Sequence, residues 1–101
     1  MDRIICEAIK NKQIIIFEYD NGIRTVEPFR LGISTQNNKV LRAFQLKNSN
    51  ESFEKQNWRL FDLSKIHRTQ LTLNYFSGLR HDFGYEDTAM IRPYICEITR
   101  Y

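Results

Sequence analysis

The sequence predicts a small, mainly β domain, with one short N-terminal α-helix, five short strands closed into a barrel, and a C-terminal extension. Three observations carry this expectation. Apolar residues recur at helical spacing only within the first eleven positions. Beyond them the apolar runs are short, rich in β-branched and aromatic residues, and separated by Asn, Asp, Gly and Ser. The chain has 101 residues, 42% hydrophobic and 27% charged, which suits one soluble domain. A chain of that size buries roughly two-thirds of its unfolded surface and needs no metal or disulfide to fold.

Residues 2 to 11 form the predicted helix. Ile4, Ile5, Ala8 and Ile9 share one face, with Arg3, Glu7 and Lys10 away from it. Asp2 is the expected cap and Asn11 the expected end. Gln13 to Tyr19 reads as the first strand. Asn21-Gly22 supplies two residues that tolerate positive φ, a tight-hairpin signal, and Ile23 to Ile33 returns as the second strand. Pro28 cannot donate to a ladder, so that strand bends or runs along an edge there. Gln36-Asn37-Asn38 turns the chain into a third strand, Lys39 to Leu46. A polar loop begins at Lys47 and runs to Gln56. Trp58 to Phe61 makes the fourth strand, Asp62 to Ile66 a tight corner, and His67 to Leu73 the fifth strand. Residues 1–73 are thus the expected barrel with its leading helix. Residues 74–101 are an extension whose end, Tyr94 to Tyr101, reads as a further strand. It packs on the barrel or pairs with a partner subunit, and the second option would make the protein a homodimer.

Charge and cysteines bound the function. The net charge of +3 permits contact with phosphate-bearing partners without requiring it. No apolar run approaches the roughly 20 residues of a membrane span. The opening residues carry Asp2 and Glu7 among their apolar neighbours, unlike a secretory signal. Cys6 and Cys96 are far apart and fit no pairing pattern, so each reads as packing and a reducing cytoplasm as the setting. His67, His81, Asp82 and Cys96 lack the spacing of a metal or catalytic motif, and Gly22, Gly32, Gly78 and Gly84 are isolated. The expectation is a non-enzymatic chain with no cofactor and no metal.

Several local patterns resemble the WYL domain family over roughly residues 4 to 73. Ile5-Cys6-Glu7-Ala8-Ile9 is similar to that family's leading helix. Ile16-Phe17-Glu18-Tyr19 is similar to its apolar-x-Phe-x-Tyr strand. Arg24 to Leu31 matches Arg-x-Val-x-Pro-x-x-Leu. Lys39-Val40-Leu41-Arg42-Ala43-Phe44 stands at the Trp-Tyr-Leu-x-Ala-Tyr motif and keeps the Leu, the Ala and an aromatic. Arg59 to Ile66 resembles Arg-x-Phe-Arg-Leu-Asp-Arg-Ile, with Asp62 at the inner Arg and Ser64 at the Asp. The resemblance implies a strongly bent, Sm-like (SH3-type) barrel. It also implies a ligand- or nucleic-acid-binding regulatory domain of bacterial or phage origin.

The candidate binding residues are Tyr19, Arg24, Arg42, Phe44, Arg59 and Lys65. Alternation on the third strand puts Leu41 and Ala43 on the core face and Arg42 with Phe44 on the other. An Arg beside an aromatic suits a phosphate contact plus base stacking. The alternative is an exposed Arg whose stem covers a ring. Arg59 and Lys65 stand at basic positions of the resemblance or are plain surface cations. Arg24 either faces the ligand or pairs with Glu18 across the hairpin. Tyr19 offers a hydroxyl to ligand or is half-buried packing with a wet tip. The expected partner is a single-stranded nucleic acid or a small phosphate-bearing ligand. The alternative is an assembly module that pairs through its C-terminal strand and binds no ligand.

Overall fold

The computed structural model describes residues 1–51, 56–84 and 86–99. Helix α1 (Asp2–Asn11) precedes strands β1 (Gln13–Tyr19), β2 (Gly22–Ser34), β3 (Lys39–Asn48) and β4 (Asn57–Asp62). A 3-10 turn (Leu63–Lys65) leads into β5 (His67–Tyr75), and β6 (Met90–Glu97) ends the order. The fold is mainly β and antiparallel, as expected, but it differs in two ways. The sheet has six strands rather than five, in the order β4-β3-β2-β1-β5 with β6 on β2. Among the described residues β4 and β5 end the path without pairing, so the sheet is open where a closed barrel was expected.

Local chemistry explains the elements. Ile5, Ala8 and Ile9 are the buried face of α1, while Ile4 turns outward at 39% exposure. Asp2 does not cap the helix. It pairs with Lys39, while the helix ends at Asn11 as expected, capped by Lys12, whose φ of 53° is left-handed. In the first hairpin Asp20 (φ 50°) and Asn21 (φ 61°) make the turn, one residue earlier than the Asn-Gly signal suggests. Gly22 instead opens β2, paired with Tyr19. A Cβ there would lie 2.6 Å from Asn50 Nδ2, so a larger residue would have to push the Asn50 side chain aside.

The long strand β2 organises the sheet. Its first half pairs with β1 and its second half with β6, while β3 runs along its whole length. The β2–β3 register skips at Phe29, between Pro28↔Ala43 and Arg30↔Arg42. This bulge is the bend expected at Pro28. The last strand begins at Met90, four residues before the expected Tyr94. Pro93 lies in the stretch 92–95, where the β2–β6 register is interrupted, so no ladder donor is lost. The strand also stops at Glu97, short of the expected end: Ile98 and Thr99 lie outside it, and residues 100 and 101, like 52–55 of the polar loop, fall outside the described residues.

One apolar core joins α1 to the sheet. Ile5 and Ile9 meet Ile15, Phe17, Val26, Phe29, Leu31, Leu41 and Phe61 in one cluster. The two cysteines do not sit as separate thiols. Cys6 of α1 and Cys96 of β6 form a disulfide across 90 positions of sequence, which withdraws the cysteine-based expectation of a reducing setting. Among the described residues no helix is long and apolar enough to cross a membrane.

Candidate anion-binding site

The two faces of the sheet have different fates. Leu41 and Ala43 are fully buried on the inner face of β3, as alternation requires. Phe44 on the other face is also buried, because Arg80 and Trp58 pack against its ring.

Arg24 belongs to the inner face. Its register partner on β1 is Phe17, whereas Glu18 faces Ile23. Directly paired residues share a face, so Arg24 points away from Glu18, and the cross-hairpin pair does not form. Glu18 takes Arg68 instead. The Arg24 residue is only 4% exposed. Its Nη1 donates to Gln45 Oε1 at 2.8 Å, and its guanidinium lies 5.3 Å from the Tyr19 ring centroid and 5.8 Å from that of Phe61. Among the described residues no carboxylate pairs with it. Its buried Nε has no hydrogen-bond partner, and Nη2 has none either. Burial lowers its pKa, and the nearby Arg59 guanidinium lowers it further. Asp20, Tyr19 and Glu51 pull the other way from a distance. An arginine stays charged through such a shift.

This is an uncompensated site. A buried cation ordinarily has a counter-ion, and its donors are ordinarily satisfied. Three other partly or fully buried arginines obey that rule. Arg30 binds Glu97, Arg42 binds Asp87 and Arg80 binds Glu27. Arg59, on β4 opposite Ala43, is exposed and adds a second positive charge beside Arg24.

The six sequence candidates therefore separate. Tyr19, Arg24 and Arg59 come together at one end of the inner face. The Tyr19 hydroxyl accepts from the Asp62 backbone N–H at 3.1 Å, and its ring packs edge-on against Phe61. Lys65 is exposed on the adjoining 3-10 turn. Asp62, which replaces an Arg of the WYL pattern, caps this turn by accepting from Ser64 N and Oγ. Those bonds hold its carboxyl below the usual range, with Lys65 adding a smaller pull.

Arg42 and Phe44 lie on the opposite face and are covered. Arg42 donates through Nε and Nη2 to the two carboxylate oxygens of Asp87, at 2.8 and 3.0 Å. The Arg80 guanidinium sits 3.4 Å above the Phe44 ring. Sequence reading missed Gln45, which is buried and orients Arg24. Its signal was faint: a polar residue in register with Val26.

No protein-family model, curated protein or solved structure matches this chain.

What the site can do follows from its own donors. Arg24 and Arg59 stand near each other at one end of the inner face, Arg24 with unspent N–H groups and neither paired with a carboxylate among the described residues. A phosphate or carboxylate would satisfy those donors with charge-assisted hydrogen bonds, each worth about 1.5–3 kcal/mol. Among the described residues no cluster of His, Cys, Asp and Glu could hold a metal ion.

Proposed function

We propose that this chain is a non-enzymatic, WYL-like binding domain that holds a small phosphate-bearing ligand between Arg24 and Arg59. The observation that carries the reading is the buried Arg24, which has an unpartnered Nε and no carboxylate partner among the described residues. Gln45 fixes the orientation of that guanidinium, and Tyr19 with Phe61 forms its apolar floor. The Sm-like part of the reading is supported by the sheet order β5-β1-β2-β3-β4, by the leading helix and by the 3-10 turn between β4 and β5. A sensor or regulatory role in a bacterium or phage is what the family resemblance adds.

A small ligand is favoured over a long strand at this site. Single-stranded nucleic acid needs a track of cations, and most arginines here are already paired. The test is calorimetric titration of the full chain with a nucleoside monophosphate, beside the variants Arg24→Met, Arg59→Ala and Arg42→Ala. Loss of affinity of at least about tenfold in Arg24→Met, with Arg42→Ala unchanged, supports the site. A tenfold loss is about 1.4 kcal/mol. Undetectable binding, or binding indifferent to Arg24→Met, overturns it.

One observation favours a second, structural reading. The tail strand β6 pairs with β2 of its own chain, but β5 is an open edge with Leu73 at 91% and Tyr75 at 61% exposure. Edge pairing through β5 would make a homodimer with no ligand. Sedimentation equilibrium separates the two: a dimer that Leu73→Lys dissociates supports assembly, and a monomer at all concentrations removes it.

A further inference from the structure

The segment 76–89 crosses the outer face of the sheet as a strap. Its described residues, 76–84 and 86–89, form no helix or strand of their own. Among the described residues of 77–84, no backbone group bonds to a strand backbone. Side chains hold it instead. Asp87 takes Arg42 in a bidentate pair, Arg80 takes Glu27 and Asp82 accepts from Trp58 Nε1 at 2.8 Å. Phe83 lies stacked on Trp58, with centroids 5.7 Å apart and planes 25° apart. Arg30 reaches up to the Gly84 carbonyl.

Beneath the strap the sheet carries an ordered pattern. Glu27, Phe44 and Trp58 stand directly opposite one another across β2, β3 and β4, and Arg30 and Arg42 form the neighbouring row. Two residues along a strand span about 6.6 Å, close to the separation between a base and its own phosphate in an extended strand. An aromatic row for bases beside an arginine row for phosphates is the pattern of single-strand binding surfaces. The strap fills both rows with equivalents. The Phe83 ring lies where a base would stack, and the Asp87 carboxylate takes the Arg42 fork as a phosphate oxygen pair would. The strap carries Asp82, Glu86 and Asp87 against a single arginine, Arg80, so lifting it leaves the face more basic. Its seat is also incomplete. A cleft of about 250 Å³ opens between strap and sheet, walled by Arg42, Trp58, Glu86 and Thr88 among others.

We infer that residues 76–89 are an autoinhibitory strap that occupies, by aromatic and acidic mimicry, a single-stranded nucleic-acid surface formed by Arg42, Phe44 and Trp58. The strap and the strand compete for the same groups. Glu27 remains at the β2 end of the aromatic row once Arg80 leaves, and its charge directs the phosphates toward Arg42. This surface lies on the opposite face from Arg24 and stands independently of the small-ligand site.

The test is fluorescence anisotropy with labelled (dT)15 at low salt, on the full chain and on a variant carrying Asp82→Ala and Asp87→Ala. At least tenfold tighter binding by the double variant is expected. Adding Arg42→Ala should return it to the wild-type level, and adding Arg24→Met should leave the gain intact. A folded double variant that binds no tighter than wild type overturns the inference. Should that variant fail to fold, hydrogen exchange on the wild-type chain with excess (dT)15 decides. Faster exchange of the 77–84 amides on adding the oligonucleotide supports displacement. Unchanged or slower exchange there overturns it.

Discussion

A single guanidinium concentrates the functional question at the residue scale. Arg24 is buried with donors unspent, an arrangement that disfavours folding and favours an incoming anion. Replacing a buried, imperfectly compensated cation by an apolar side chain of similar length is commonly neutral or stabilising. Arg24→Met should therefore melt at or above the wild-type temperature while losing ligand, an opposition that thermal denaturation and titration together would reveal. Phe29 makes the contrasting case. It is fully buried and touches Trp58, Phe76 and Phe83. Phe29→Ala should lower unfolding stability by about 3–5 kcal/mol, measured by urea titration. The character of Arg24 was only half legible in the sequence. Its position in Arg-x-Val-x-Pro marked it as a candidate, but its burial depends on sharing a face with Phe17 and on Gln45, which belongs to another strand.

At the scale of elements, the strap is held by charge as much as by packing. Hydrogen bonds from Arg42 depress the Asp87 pKa from its ordinary 3.8, outweighing the opposing effect of burial. A carboxyl with a depressed folded-state pKa contributes stability that is fully present above its unfolded value and is lost as pH falls through the folded one. Wild-type stability should accordingly decline as the pH drops below about 3.8. Asp87→Asn should be less stable at neutral pH and decline less steeply in acid, as urea unfolding at stepped pH would record. The strands themselves were legible because period-two patterning and turn residues are local signals. The strap was not. Arg42–Asp87, Glu27–Arg80 and Trp58–Asp82 join residues 45, 53 and 24 positions apart, and no spacing rule announces such pairs. Pro93 misled the reading of β6 because it sits in a register gap rather than before the strand.

At the scale of the whole molecule, the two ends of the chain are fastened to each other. The Cys6–Cys96 disulfide closes a loop of 90 positions. Chain-entropy reasoning assigns such a closure on the order of 4 kcal/mol. Reduction by a dithiol, or Cys96→Ser, should lower the melting temperature by roughly 15 °C or more for a domain of this size, as calorimetry would detect. The pairing left no trace in the sequence, because two cysteines at opposite ends meet only once α1 and β6 are placed beside each other. Closure of the sheet was equally hidden, since strand patterning does not report whether the edges β4 and β5 meet. What the molecule combines is an open sheet with an uncompensated cation on one face and a charge-pinned strap on the other.

The central claim is that Arg24 receives an anion, and the Nε–H of that residue reports on it directly. The measurement is the ¹H–¹⁵N signal of the Arg24 side chain, assigned by its absence in Arg24→Met, during titration of the full chain with a nucleoside monophosphate. A saturable shift of that signal, weakened by Arg59→Ala, is the result expected. A signal that stays in place while the ligand is bound elsewhere, or that never moves, would contradict the claim.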